Sequence, residues 1–400
     1  MSTSRELTPT EDDILRSARK GELYEAGDRE VAGEFLCELI TNSMKWNLHA
    51  HGLMVSNAKV TGTLDARYSI IEHPLILQHC TFSEVAIFTA CRAEAIFLTG
   101  CEVPGFDGSQ LFLRTELRLN HGFKSEGPVI LSLADIRGHL KCEGGLFNNP
   151  EGDALNANGA KIDGDVSMDA AEDGRFESHG AVRLRGAKIG GQLSFSGGLF
   201  NNPEGIALSF NGATINGGVS MDAAEDGRFE SHGAVRLLEA KIGGQLSCRG
   251  GLFNNPEGDA LSVDGATIDG DVFFDAAVNG TFESHGEVRL LGTRIGGWLN
   301  CRGGLFNNPM GNALNAKGAR INGDVFMDAG ENGRFESHGN LITTSALLSR
   351  RSDADVLGTA FFREEAEQLE HRGIMRPADQ RRRLALLLSL IHISEPTRPY

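Results

Sequence analysis

The chain has 400 residues, 51 of them glycine, and a formal net charge of −16. That length would hold two or three ordinary domains, but a chain of stacked repeats needs only one continuous core. The acidic balance argues against a surface for nucleic acid or anionic membrane, since both would repel it.

Residues 1–46 read as a helical N-terminal cap. Thr10 is a candidate N-cap ahead of Glu11-Asp12-Asp13-Ile14-Leu15, and a second segment carries Val31, Ala32, Phe35, Leu36, Leu39 and Ile40 on one helical face. An amphipathic helix here would cover the unpaired strand edges of the body that follows.

Residues 47–345 read as a right-handed parallel β-solenoid. Leu53, Val55, Ala58, Val60, Gly62 and Leu64 overlay Leu208, Phe210, Ala213, Ile215, Gly217 and Val219. From about Pro74 to Leu119 the coil shortens. Leu75-x-Leu77-x-x-Cys80-x-Phe82 returns at a 21-residue interval as Ile96-x-Leu98-x-x-Cys101-x-Val103. This fits a four-sided coil of about five residues per side with both cysteines pointing inward.

A 53-residue sentence is then written four times, marked by Gly-Gly-Leu-Phe-Asn-Asn-Pro with its proline at Pro150, Pro203, Pro256 and Pro309. Constant spacing means one structural unit stacked along an axis, as a rod or slab. Each unit is two shorter ones, since Ala181 to Leu193 overlays Ala207 to Val219. Apolar residues alternate in runs of two or three, which marks very short strands, and glycines with Asn-Asn-Pro supply the corners. Such strands satisfy their backbones by pairing with the equivalent strand one coil away. Ile136, Ile189, Ile242 and Ile295 should form one inward ladder, interleaved with Ile162, Ile215, Ile268 and Ile321. A helical repeat is disfavoured, because each interior glycine would cost about 1 kcal/mol in a helix.

Cys142, Cys248 and Cys301 share a repeat position with Phe195, so the site is apolar. Copies two coils apart stand roughly 9.6 Å from each other, too far for a disulfide. Buried free thiols suit a reducing compartment and a cytoplasmic location, and the polar, acidic N-terminus shows no secretory signal.

Residues 346–387 read as a helical C-terminal segment, with Val356, Leu357, Ala360, Phe361 and Leu369 on one face and Arg381-Arg382-Arg383 beyond. Residues 388–400 are set aside. Leu388 to Arg398 resembles, residue for residue, the translation of a common sequencing adapter, as at the end of an environmental read, so the natural protein is expected to continue past Leu387.

Leu7-Thr8-Pro9 followed by Gly21-Glu22-Leu23, the Gly-Ala-x-Ile-x-Gly-x-Leu units such as Gly186 to Leu193, and Glu287 to Gly292 with Ile295-Gly296-Gly297 carry a family resemblance. Over most of residues 7–387 the chain resembles a bacterial family of pentapeptide-repeat-like β-solenoids commonly labelled membrane-associated oxidoreductases. Members often end in a basic stretch and a hydrophobic segment. The resemblance thus implies inner-membrane association, of which only Arg381 to Arg383 remain here. The residues give the oxidoreductase label no support: there is no Gly-x-Gly-x-x-Gly after a strand, no Cys-x-x-Cys and no Gly-x-x-x-x-Gly-Lys.

Three constellations recur. Glu177-Ser178-His179, Glu230-Ser231-His232, Glu283-Ser284-His285 and Glu336-Ser337-His338 combine carboxylate and imidazole, yet equivalent histidines two coils apart cannot share a metal. They read as solvent-exposed loops. Asp169 to Gly174, with copies at Asp222, Asp275 and Asp328, lacks the alternate acidic spacing of a calcium loop and reads as a solvated turn. The pairs from Asn148-Asn149 to Asn307-Asn308 read as corner formers, because a two-coil interval interrupts an amide ladder. Trp46 and Trp298 read as packing or edge residues, and His49, His51, His73 and His79 show no ligand spacing. No catalytic, cofactor or metal residue is assigned, and no cofactor is expected.

The functional expectation is a non-catalytic scaffold or protein-interaction module for an unknown protein partner. Arg183, Arg236 and Arg289 would recur on its surface at fixed intervals. Two alternatives stay open: an acidic nucleic-acid mimic inhibiting a topoisomerase-like enzyme, and an enzyme, either the oxidoreductase that the family label implies or a carbohydrate-active solenoid of the pectin-degrading sort with its chemistry in irregular loops.

Overall fold

The computed structural model describes residues 6–225, 227–330 and 333–342. The helical reading of 346–387 and the adapter-like 388–400 lie outside the described residues. Inside them the chain is a parallel β-solenoid. Each coil crosses four faces: face 1 is a 13-stranded sheet, faces 2 and 3 are the two arms of a 16-stranded sheet, and face 4 is an 11-stranded sheet. Most strands are two residues long, so hydrogen bonding along the axis, not strand length, holds the backbone.

On face 1, Leu75, Ile96 and Leu117 stand in register, each one short coil from the next. Leu140, Val166, Leu193 and Val219 follow at wider and nearly even steps. On face 4 the expected isoleucine column is present: Ile136, Ile162, Ile189, Ile215, Ile242 and Ile268 are consecutive neighbours and buried. The overlay of Leu53 to Leu64 on Leu208 to Val219 is two faces out of phase. Leu53 starts face 1 and Val60 lies on face 2, whereas Leu208 belongs to face 3 and Ile215 to face 4. Four sides with the same inward alternation look alike in sequence, so only the pairing separates them.

The longer coils add residues at two corners, and consecutive coils use different ones. In the coil of Leu146–Asn156, residues 149–152 swing out between faces 2 and 3, where the ladder register shifts. The next coil swings out at 169–175, between faces 1 and 2, and there Ala171 and Gly174 pair as a tight hairpin. That coil turns from face 2 to face 3 at Gly180, with φ of 115°. A Cβ there would lie 2.2 Å from the Asn149 carbonyl oxygen and 2.7 Å from that of Gly152, so the excursion below requires glycine above.

The same alternation packs the core. Rings of Phe123, Phe147, Phe176, Phe200, Phe229 and Phe253 stack at centroid distances of 5.0–5.5 Å, and the column runs on through Phe282 and Phe306 to Phe335. The rings come from two register positions in turn. Where one coil has Phe200, its neighbours place Ser178 and Ser231, and a Cβ on Gly198 would lie 3.0 Å from the Phe200 ring. One large and one small residue per coil keep the cross-section filled. The Ser178, Ser231 and Ser284 hydroxyls are sealed inside without a hydrogen-bond partner. A second inward column accepts Leu119, Cys142, Met168, Phe195, Met221 and Cys248, all buried, as expected of a site shared by cysteine and phenylalanine.

At the N-terminus, helix α1 spans Pro9–Lys20. Its cap is Thr8, not Thr10: the Thr8 hydroxyl accepts from the Glu11 amide at 3.2 Å, and Glu11 accepts from the Thr8 amide at 2.9 Å. Proline fits the first helical position, which fixes the cap one residue before it. Helix α2 covers Gly33–Thr41 and buries Phe35, Leu36, Leu39 and Ile40. Val31 and Ala32 instead belong to the strand Glu30–Ala32, which joins face 2. With Tyr24–Glu25 on face 1, the ladders thus begin inside the segment read as a helical cap.

Candidate interaction surface

Face 2 gathers most of the recurrent polar residues. Glu-Ser-His is not a loop but the start of a seven-residue strand, Glu177–Arg183 in the first copy, with the serine inward and Glu177 and His179 half-exposed. Its coil neighbours are the Leu-Phe-Asn strands. His179 stands in register between Asn148 and Asn201, and His232 between Asn201 and Asn254. The two-coil gaps in the asparagine series are therefore filled by histidine, and an unbroken Asn/His ladder runs from Asn148 to His338. Asn201 Nδ2 lies 3.2 Å from His179 Nδ1, Asn254 Nδ2 3.2 Å from His232 Nδ1 and Asn307 Nδ2 3.0 Å from His285 Nδ1. An amide donor on Nδ1 leaves the imidazole proton on Nε2. That nitrogen faces the glutamate of its own triplet at 3.7–3.8 Å.

A second ladder runs beside the first. Glu177, Leu199, Glu230, Leu252, Glu283 and Leu305 alternate in register, each half-exposed. Arg175 lies 3.5 Å from Glu177 and 3.3 Å from Glu230, tying carboxylates two coils apart, and Arg228 repeats the longer link to Glu283 at 3.3 Å. Face 2 thus carries the two ladders side by side. It is bordered on one edge by the 169–175 excursions and on the other by the 149–152 excursions.

The acidic turns divide in two. Glu172, Asp173 and Gly174 are exposed, as expected of solvated turns. Asp169 is not solvent's: it accepts from the Ser167 and Ser194 hydroxyls and the Ser196 amide at 2.6–2.7 Å. Burial pushes its carboxyl above the usual range, against the lowering effect of those donors. Asp275 is also raised by burial, opposed by Arg249. The asparagine pairs divide as well. Asn149 closes its excursion by donating to the Asp153 carbonyl at 2.9 Å, a corner role as read, whereas Asn148 belongs to the ladder.

Arg183 and Arg289 are held against Asp153 and Asp259 rather than presented freely, and at Arg236 the corresponding residue is Ile206. Trp298 is 50% exposed and meets Phe326 edge-on at 5.9 Å, while Trp46 carries the Lys45 ammonium 4.8 Å from its ring centroid. His49 and His51 touch each other, and His73 and His79 flank the strand Leu75–Gln78. Burial pushes the Cys142, Cys248 and Cys301 thiols up, and Cys91 up to about 12. Among the described residues no three His, Cys, Asp or Glu side chains are grouped to hold a metal ion, and no helix is long and apolar enough to cross a membrane.

Fold and surface together define a repeat protein of the parallel β-solenoid class. No family model, curated protein or solved structure matches the chain.

Proposed function

We propose that this chain is a non-catalytic scaffold whose face 2 is the docking surface for a protein partner. The observation that carries the reading is that its chemically capable side chains are copies. Glu230, His232 and Asn254 are arranged as Glu283, His285 and Asn307 are, so no single position is set apart to do chemistry. A partner meeting many equal, weak contacts gains affinity by their number. The acidic balance favours a basic partner. A cytoplasmic location rests on the seven free cysteines, six of them buried. Attachment to the inner membrane rests on the family resemblance alone. The nucleic-acid mimic is less favoured, because face 4 presents Lys188, Lys241, Arg294 and Arg320 as exposed cations.

The test is an absorption and mass spectrum of the full chain purified from its producing cell, with its cross-linked neighbours identified in the same preparation. The scaffold reading expects no bound flavin, nicotinamide or haem, and one neighbour whose cross-links fall on face 2. A stoichiometric cofactor would overturn it in favour of the oxidoreductase.

A further inference from the structure

The pitch of face 2 selects among the shapes a partner chain can take. Its pattern repeats every second coil, roughly 9.6 Å along the axis at ordinary strand spacing. An extended β-strand repeats its side-chain pattern every ~6.7 Å and loses phase within one repeat. An α-helix turns every ~5.4 Å, so two turns overshoot by about 1 Å at each repeat. A polyproline II segment advances ~3.1 Å per residue with three residues per turn, or about 9.3 Å, and stays in phase over several repeats.

The chemistry of the face agrees with that shape. Leu199, Leu252 and Leu305 offer one half-exposed apolar contact per repeat. Glu230 and Glu283, shared with Arg175 and Arg228, place one half-exposed carboxylate between them, and exposed Glu151, Glu204 and Glu257 border the face. The backbone carbonyls of a polyproline II segment make no internal hydrogen bonds and need outside donors. The half-exposed Asn/His ladder carries N–H groups on this face, with each imidazole Nε2 lying 3.7–3.8 Å from the glutamate of its own triplet.

We infer that face 2 binds a proline-rich, basic peptide segment in the polyproline II conformation, with a cationic residue at every third position, laid along the solenoid axis. The prolines rest on the leucine rungs, and the cations meet the glutamates. This deepens the scaffold reading and rests on it.

The experiment titrates the full chain at physiological salt with a fluorescent peptide of four Arg-Pro-Pro units. The control is an isomer of the same composition whose arginines are clustered and out of phase. The phased peptide should bind about tenfold more tightly or better, since only it engages several rungs at once. E230Q/E283Q, checked for an unchanged circular dichroism spectrum, should bring it down to the isomer's level, and L252S, checked the same way, should do the same. Equal binding of both isomers would overturn the inference and leave only non-specific charge attraction. So would binding of linear neutral oligosaccharides in place of the peptide. Neither result touches the scaffold reading, which is tested separately by the cofactor spectrum and the cross-links on face 2.

Discussion

Between Leu75 and Leu117 each coil closes within the short interval that separates Leu75 from Ile96, and between Leu140 and Val325 every coil is longer, yet the two regions share the same four faces. The short coils are the fold at its minimum: two inward apolar residues on face 1, such as Leu75 and Leu77, and a corner after each side. The long coils keep that frame and add excursions at alternate corners, together with the Asn/His and Glu/Leu ladders of face 2. Architecture is thus carried by the part the two regions share, and the candidate surface by the part they do not.

The sharpest way to break this comparison is to cut the shared part. Phe229→Ala in the long coils should cost about 3–5 kcal/mol and Leu98→Ala in the short coils about 2–5 kcal/mol, as core cavities in one continuous column. Urea unfolding followed by circular dichroism measures both, and a near-zero cost in either region would separate the two cores. His232→Ala, which touches only the added ladder, should cost about 1 kcal/mol.

Glycine at an excursion should matter more than glycine at a plain corner. Gly233→Ala drives a Cβ to 2.2 Å from the Asn202 carbonyl oxygen at φ of 116°. Gly212→Ala at φ of 64° meets nothing within 4 Å. The first should cost several kcal/mol and the second about 1 kcal/mol, the ordinary penalty of a left-handed residue. Comparable losses in calorimetry would show that the excursions are not packed on the next coil.

Individual carboxyls of the two regions also differ in acidity. In the early coils Glu25 is held below the usual carboxylate range by Ser56 and Asn57. Burial would raise Asp107, but Ser109 and Thr89 outweigh it and lower its carboxyl. These groups stabilise the fold above the unfolded carboxyl range, and lose that contribution as pH falls through their depressed values. Asp169 is raised, so it favours the folded state below the unfolded range and loses that contribution as pH rises through its own value. Measured by urea unfolding at about pH 3 and about pH 7, Glu25→Gln should lose more stability at the higher pH. Asp169→Asn should compare better with the parent at the higher pH than at the lower. The same trend in both variants would contradict the contrast.

The smallest expected effect is inside the phenylalanine column. Ser231→Ala removes a sealed, unpartnered hydroxyl and should be neutral or stabilising by about 1 kcal/mol. A loss larger than that would mean the hydroxyl has a partner in solution.

The solenoid, the short step from Leu75 to Ile96 and the isoleucine column were readable in the sequence, because on faces 1 and 4 the steps between neighbours are nearly even; the short coil that starts at Leu53 was not. Face 2 was not, for a geometric reason. From Asn148 to His179 the chain passes through both the 149–152 and the 169–175 excursions, whereas from His179 to Asn201 it passes through neither. The steps are therefore uneven, and an even step pairs neither neighbour, so histidine and asparagine read as separate loops. The phenylalanine column is hidden the same way, since both excursions separate Phe147 from Phe176 and none separates Phe176 from Phe200. Asp169 looked like a turn residue because its partners, Ser194 and Ser196, belong to the next coil.

Spin labels on exposed excursion residues test most directly whether every copy of the repeat adds two stacked coils. With cysteines introduced at Glu151 and Glu257, and separately at Glu151 and Met310, electron double resonance should give distances of roughly 19 Å and roughly 29 Å. The increment per repeat should be constant. Two similar distances, or a second shorter than the first, would contradict the stacking on which face 2 and its ladders depend.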